Sequence, residues 1–199
     1  MINLRHLFVI RKVDVMKILF LDTETGGLDE TIYSLLTIGL VVWDDKNNID
    51  MKEIWISKEQ YITDPKSMAI NKINLNLLQE KGVSELDAIK CVENFCTKHF
   101  GNEKIILAGH NISFDVSFLK KLYRTYGYDF ETRFSHKMID TVSILKYLYL
   151  SGQITEELQS FDAMREYLGI TMQDDKRHTA LGDALATAQV FSKLLVLKK

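Results

Sequence analysis

Four acidic residues and one histidine are the side chains whose types and order suggest chemistry. They are Asp22 and Glu24 in LFLDTETGGL, Asp115 in GHNISFDVSFL, and His178 and Asp183 in RHTALGD. Carboxylate oxygens are the ligands that hard divalent cations such as Mg²⁺ prefer, and a pair of such ions promotes phosphodiester hydrolysis. The set therefore predicts a two-metal site that cuts phosphodiester bonds.

Taken singly, each of these residues also has an ordinary structural explanation. Asp22 and Glu24 would suit a surface turn, and Asp115 would suit a helix N-terminus, where the helix dipole stabilises an acid. His178 would suit simple exposure to solvent. Asp22, however, directly follows the apolar run ILFL, where a charge must be compensated or functional. The combination, rather than any one residue, favours a catalytic site.

Short apolar runs bounded by turn-forming residues predict the strands that position these acids. An opening three-stranded meander is predicted from KILFLD, LLTIGLVVWD and MKEIWIS, with DKNNID as a hairpin connection, and a later buried strand from KIILAG. Alternation along the first strand points Asp22 and Glu24 to the same face.

Apolar residues at helical spacing predict the helices. The predicted helices are Ser84 to Phe100 with Ser84 as N-cap, FDVSFLKKLYRTYG ending at Gly127, IDTVSILKYLYL, ELQSFDAMREYLG ending at Gly169, and about Thr179 to Leu197. Pro65 is assigned to a loop. This order predicts an α/β domain, a mixed β-sheet flanked by α-helices. Asp115 at a helix start and Asp183 in the first turns of the last helix can then converge with the first strand.

Length and charge narrow the class of protein. A chain of 199 residues with 46% hydrophobic content predicts one domain with a substantial core. A net charge of -2 argues against a protein that coats nucleic acid through a broad basic face, but not against an enzyme that grips a few nucleotides. We expect residues 1–15 to be an N-terminal extension or a loosely packed arm, with an added edge strand as the alternative, and residues 16–199 to form the domain.

Cysteine content and hydropathy bear on location. Cys91 and Cys96 lack metal-ligand spacing, so neither a disulfide framework nor a zinc site is expected, and a reducing cytoplasm fits. No run approaches eighteen apolar residues, so no membrane association is expected. A cytoplasmic protein is predicted.

The three acidic motifs together resemble the DnaQ-like, or DEDDh, 3′–5′ exonuclease family of the RNase H-like fold. That family has DxE, HNxxFD and HxxxxD motifs in this order, which here stand as DTETGGL, HNISFD and HTALGD. The resemblance extends from about Lys17 to Leu197. Within the family, the chain resembles the DNA polymerase III epsilon-type exonuclease domain. The segments IDTVSIL and DPKSMAINKIN also match. One departure is Asn71, at a position where many relatives have histidine.

The resemblance implies a role for each acidic residue toward two Mg²⁺ or Mn²⁺ ions. Asp22 is implied to bridge both ions, Glu24 and Asp183 to complete the site of the attacking water, and Asp115 to support the second ion, partly through water. His178 is implied as the general base, which suits an imidazole with an ordinary pKa of about 6.5.

Helical geometry constrains where His178 can lie. Five helical residues span roughly 500°, so His178 and Asp183 cannot share one helix face. We therefore expect His178 on the loop that enters the last helix, in a segment whose ordering awaits substrate.

A turn after the first strand is expected to receive the terminal nucleotide. Its backbone N–H groups can approach the ligand, and the resemblance implies that Leu28 packs against the base; alternatively, Gly26–Gly27 is merely a turn. Asn111 is expected to orient Asp115. The expected substrate-binding residues are Thr23, Thr25, Gly26, Leu28, Asn111 and Phe114.

Three aromatic residues in or near the motifs suit either a structural or a binding role. Phe114 suits either the core or a stacking surface for a base. We expect Phe118 in the core and a structural role for His110, because one histidine beside a strand end is usually satisfied locally.

The sequence thus predicts a metal-dependent 3′–5′ exonuclease that releases nucleoside 5′-monophosphates from a single-stranded 3′ end. DNA proofreading or repair is preferred, either as a stand-alone enzyme or with a DNA polymerase as a partner. One alternative is an RNA-directed enzyme of the oligoribonuclease or ribonuclease T kind. Another is a non-catalytic module that binds nucleic-acid ends, which the clustered carboxylates argue against because they repel one another without metal.

Overall fold

A computed structural model describes residues 17–44, 47–171 and 179–196. Within these ranges, five strands form one sheet in the order β3-β2-β1-β4-β5. The strands are β1 (Lys17–Thr25), β2 (Leu35–Asp44), β3 (Asn47–Trp55), β4 (Leu107–Gly109) and β5 (Ile139–Asp140). β1 pairs antiparallel with β2 and parallel with β4, so the predicted mixed sheet is confirmed. The predicted extension, residues 1–15, lies outside the described ranges, and its boundary stays a prediction.

Helices cover both faces of the sheet. They are α1 (Pro65–Asn71), α2 (Leu75–Lys81), α3 (Glu85–Phe100), α4 (Ile112–Thr125), α5 (Phe130–Arg133), α6 (Thr141–Leu150), α7 (Phe161–Tyr167) and α8 (Ala180–Leu194). The Ser84 side chain caps α3, and Gly127 has a left-handed backbone just after α4, as predicted. Across the part of the chain described here, every helix is too short or too polar to span a membrane.

Two predicted connections near the start of the chain are wrong. Pro65 is not in a loop but begins α1, where the side chain of Asp64 accepts a hydrogen bond from the Ser67 N–H. Proline is tolerated there because its missing N–H would have no helical partner. The predicted hairpin connection DKNNID is mostly strand, because β3 already begins at Asn47. Polar residues are accommodated on this strand because, among the described residues, it lies at the edge of the sheet and pairs with β2 alone.

Three predicted elements in the second half are shorter than expected because polar caps and pairing interrupt them. Ile139–Asp140 pairs with β4, and the Asp140 side chain then caps α6. Ser160 divides the predicted ELQSFDAMREYLG helix into a 3₁₀ turn and α7, which it caps. In KIILAG only the last three residues are strand, and Ile105 makes an isolated bridge to Phe134. The spacing of apolar residues in the sequence does not indicate these hydrogen bonds.

β1 lies at the centre of the core. Leu19 and Leu21 belong to a cluster with α3 and α4 on one face of the sheet. Ile18 and Phe20 pack on the other face against Ala184, Ala188 and Phe191 of α8. The strand is apolar and buried from residue 18 to residue 21, so its C-terminal end is where polar side chains emerge between the two helical layers.

Candidate active site

The C-terminal end of β1 carries Asp22 and Glu24 on the face that packs against α8. Side chains alternate along the strand, so both point to the same face as Ile18 and Phe20, as predicted, and both are partly buried. Thr23 and Thr25 alternate with them and are buried on the opposite face. Two carboxylates therefore stand side by side where the central strand leaves the core.

Asp183 reaches the same place from the first turn of α8. This helix begins after Thr179, whose side chain accepts a hydrogen bond from the Gly182 N–H at 3.1 Å. Carboxylate oxygens of Asp22, Glu24 and Asp183 all lie within 4.8 Å of one another. The sequence prediction that strand and helix converge is confirmed for these three residues.

Asp115 approaches from the other face of the sheet at the start of α4. It is 3% exposed, and its Oδ1 accepts hydrogen bonds from the Thr23 N–H at 2.8 Å and the Thr23 Oγ1 at 2.7 Å. Asp115 is not part of the three-residue group, but its charge acts on Asp22. Thr23 thus links the fourth carboxylate to the strand that carries the first two.

The predicted orienting role of Asn111 toward Asp115 is not what the structure shows. Asn111 is exposed at the N-cap of α4 with a left-handed backbone (φ 61°), and its side chain caps no N–H of the helix. Its backbone N–H instead donates to Asp140 Oδ1 at 3.0 Å. Thr23 holds Asp115, and contact between Asn111 and substrate stays a prediction.

The carboxylates resist ionisation because they are buried together. Burial, and then the charges of Asp115, Asp183 and Glu24, raise the pKa of Asp22 well above its ordinary value. Burial and the charge of Asp183 lead the causes that raise the pKa of Glu24 to about 8. Burial raises the pKa of Asp115 to about 7 against the opposing hydrogen bonds from Thr23.

This donor set fits divalent metal ions. Crowded carboxylates are costly when ionised unless positive charge compensates them. All-oxygen ligands select hard cations, of which Mg²⁺ and Mn²⁺ suit phosphate chemistry. Asp22, Glu24 and Asp183 can share one cation, and the nearby Asp115 can support another.

The predicted turn follows β1 and is framed by hydrogen bonds. The Gly26 N–H donates to the Ser34 carbonyl at 2.7 Å, and the Thr25 Oγ1 donates to the Gly27 carbonyl at 2.7 Å. A β-carbon on Gly27 would stand 2.3 Å from the ring of Tyr33, so glycine is required for packing there. Leu28 is 81% exposed at the turn. The turn therefore exposes an apolar side chain, and contact of Leu28 with a base stays a prediction.

Asn71 anchors this turn, a role that the sequence did not reveal. It is 8% exposed, and its Nδ2 donates to the Thr25 carbonyl at 3.1 Å. Its Oδ1 accepts from the Ile73 N–H at 3.1 Å. The one feature of the sequence that drew attention to Asn71 is that many relatives have histidine at this position. An asparagine at the end of a short helix otherwise suggests only a local cap.

The aromatic residues in the HNISFD motif and just after it divide as expected. Phe118 is 2% exposed and lies in the core, and the half-buried Phe114 packs on it with 5.1 Å between ring centroids. His110 shares a hydrogen bond with Thr141 Oγ1 at 2.9 Å, and burial lowers its pKa. The structural role predicted for His110 is confirmed. His178 lies outside the described residues, so its role as general base stays a prediction.

A mixed sheet with helices on both faces and acidic residues at the end of its central strand defines an RNase H-like nuclease fold. A model of the RNase T exonuclease family matches residues 19–191. The chain belongs to this exonuclease family, and the predicted DnaQ-like exonuclease domain is confirmed.

The chain is similar to proteins of several sizes. It is 29% identical to a PolC-type DNA polymerase III of Thermotoga petrophila over 181 residues, which are 90% of this chain but 12% of that protein. It is 28% identical to ribonuclease T of Blochmanniella pennsylvanica over 188 residues, which cover 87% of this chain and 82% of that protein. The chain therefore spans about an eighth of the polymerase relative and most of the ribonuclease.

A solved structure shares the fold. Escherichia coli exonuclease I in complex with a dT13 oligonucleotide superimposes with a TM-score of 0.77 and 17% identity, covering 90% of this chain and 41% of that one. The likeness confirms the predicted RNase H-like fold.

Proposed function

We propose that this chain is a divalent-metal-dependent 3′–5′ exonuclease that removes nucleoside 5′-monophosphates from the 3′ end of single-stranded DNA. The observation that carries the proposal is the convergence of Asp22, Glu24 and Asp183 within 4.8 Å at the end of the central strand. Asp115, fixed by Thr23, stands beside this group. Membership of the exonuclease family supports the same chemistry.

Asp22, Glu24 and Asp183 would hold Mg²⁺ or Mn²⁺, and Asp115 would support the second ion of a pair. Bound ions supply a water activated for attack and neutralise charge on the phosphate and the leaving 3′ oxygen. The carboxylates orient that site because β1 and α8 are both packed into the core. His178 takes the proton of the attacking water.

Specificity for a strand end follows from the turn after β1. Leu28 projects from it, and Phe114 lies at the start of α4, the helix that carries Asp115. A terminal base contacted by Leu28 and Phe114 sets its phosphodiester beside the carboxylates. A paired end must first be opened at a cost of a few kcal/mol, so single-stranded or frayed ends are the preferred substrates.

DNA is the preferred substrate class, with proofreading or repair as the role, a DNA polymerase as the partner and the cytoplasm as the location. Similarity to PolC-type polymerases over 90% of the chain supports this. The RNA-directed alternative has its own support, because the chain covers 82% of ribonuclease T and only 12% of the polymerase relative.

Competition between labelled single strands of DNA and RNA of one sequence distinguishes these alternatives. With Mg²⁺ present, we expect DNA to be shortened faster than RNA, and EDTA to stop both reactions. Faster loss of RNA would replace DNA with RNA as the substrate. Binding of either strand without shortening in Mg²⁺ or Mn²⁺ would instead support a non-catalytic end-binding module.

A further inference from the structure

Thr37 on β2 has a buried hydroxyl group without a hydrogen-bond partner. The residue is 4% exposed, and its Oγ1 is inaccessible to solvent and unbonded. Leaving such a group unsatisfied costs about 1–3 kcal/mol. Such a hydroxyl can gain its partner when a ligand binds nearby.

The position of Thr37 indicates which ligand that is. Thr37 pairs with Glu24 across β1 and β2, and directly opposite residues on antiparallel strands share one face with β-carbons about 4.5–5.5 Å apart. Two residues further along the same face of β2, Gly39 pairs with Asp22. The hydroxyl thus stands on the face of the sheet that carries the clustered carboxylates.

The side chain opposite Thr37 on the third strand offers no acceptor. On the far side Thr37 pairs with Trp55 of β3, whose indole N–H can only donate. Glu24 is different, because a carboxylate has two oxygens and about four acceptor positions. An ion bound through one oxygen leaves the second free to accept from a neighbouring hydroxyl.

We propose that Thr37 is a positioning residue of the metal site, whose hydroxyl donates to the Glu24 carboxylate when Glu24 binds metal. The inference rests on the proposed function, since it requires that Glu24 be a metal ligand. Hydrogen bonds to ligating carboxylates orient them, and losing such a partner typically lowers metal affinity by about 10–100-fold.

Titration with Mn²⁺ alone, followed by the spectroscopic signal of free Mn²⁺, tests this without relying on activity. Thr37→Val keeps the shape of the side chain and removes the hydroxyl, and we expect Mn²⁺ to bind about 10–100-fold more weakly. Thr37→Ser keeps a hydroxyl and should bind within a few-fold of the parent. Without metal, Thr37→Val should be at least as heat-stable as the parent, because no buried hydroxyl is left unsatisfied.

A second buried threonine provides the matched control. Thr187 is 2% exposed, and its hydroxyl donates to the Asp183 backbone carbonyl at 2.8 Å rather than to a carboxylate. Thr187→Val should leave Mn²⁺ affinity unchanged. If Thr37→Val does not fold, Thr37→Ala takes its place in the same comparison.

The outcomes separate the two proposals. Parent protein that fails to bind Mn²⁺ would overturn the proposed function. Parent protein that binds Mn²⁺, together with a Thr37→Val variant of equal affinity, would overturn only the role of Thr37. Equal weakening in Thr37→Val and Thr37→Ser would also overturn it, because the hydroxyl would then be irrelevant.

Discussion

The backbone of Ala180 lies directly against Gly39. A β-carbon on Gly39 would stand 2.2 Å from both the carbonyl carbon and the carbonyl oxygen of Ala180. Gly39 pairs with Asp22 in the sheet, and Ala180 begins α8, which carries Asp183. The missing side chain of Gly39 therefore sets the separation between the strand and helix that supply the carboxylates.

Gly39→Ala should move the start of α8 away from β1 and lower activity. Overpacking of this kind costs about 1–3 kcal/mol of stability, and a displacement of about 1 Å at a catalytic site can cost about 10²-fold in rate. Turnover of a single-stranded substrate and the thermal unfolding midpoint are the measurements.

Gly152→Ala is the matched control for that substitution. Gly152 has a left-handed backbone (φ 71°) and no atom within 4 Å of an added β-carbon. The change should cost about 1–2 kcal/mol through backbone strain alone, with turnover unchanged below the unfolding temperature. Full activity of Gly39→Ala would show that the close approach of α8 is not required.

Metal-free protein should become less stable as pH rises from about 5 to 8.5. The pKa of Glu24 is raised from 4.5 to about 8, so in this range the folded protein keeps a proton that the unfolded chain has lost. Stability falls with pH wherever the native state binds more protons. The contribution of Glu24 to the free energy of unfolding is complete below pH 4.5 and is lost as pH rises through 8. The raised pKa of Asp115 changes stability in the same direction.

Thermal unfolding in EDTA across this pH range measures the effect. Glu24→Gln should reduce the pH dependence, because the amide does not titrate, and Mg²⁺ should flatten it in the parent by favouring ionised carboxylates. A parent protein whose unfolding temperature in EDTA is constant or rises between pH 5 and 8.5 would contradict the crowding of these acids.

Thr23→Val should weaken the hold on Asp115. The valine side chain fits a strand but removes the 2.7 Å bond from Oγ1, leaving only the backbone N–H bond at 2.8 Å. We expect activity to fall by about 10–100-fold, as is typical when a partner of a metal-binding carboxylate is lost. Thr23→Ser retains the bond and should be near normal. Equal turnover of both variants would show that the hydroxyl bond does not position Asp115.

His178→Ala tests the predicted general base. Turnover should fall by roughly 10² to 10⁴-fold, while Mn²⁺ affinity changes little because the proposed ligands are carboxylates. In the parent, the rate at saturating Mn²⁺ should rise through the range near pH 6.5 where an imidazole loses its proton; the variant should lack that rise. An unchanged rate in the variant would require another base.

The sequence predicted the parts of the site that depend on local pattern. Strand alternation placed Asp22 and Glu24 on one face, and helical spacing placed Asp183 in the first turn of the last helix. Both rules act within a few residues, so the printed sequence is enough to apply them. Asp115 at the start of α4 was predicted for the same reason.

Contacts between distant segments could not be predicted in this way. Thr23 and Asp115 are 92 residues apart, and the sequence predicts Thr23 as a substrate contact rather than as the partner of Asp115. Gly39 within an apolar run indicates a bulge as readily as a helix crossing. The roles of such residues become clear only when the order of the strands is known, because the sheet brings β1 and β2 together with α4 and α8.

The central claim is tested most directly by following a single-stranded DNA of defined length with Asp22→Asn beside the parent. This variant keeps the size of the side chain and removes its charge. In Mg²⁺ the parent should produce a descending ladder from 5′-labelled strands and an immediate mononucleotide from 3′-labelled strands, while EDTA or Asp22→Asn abolishes both. Near-normal cleavage by Asp22→Asn in Mg²⁺, or rapid cutting of covalently closed circles, would contradict a metal-dependent 3′–5′ exonuclease.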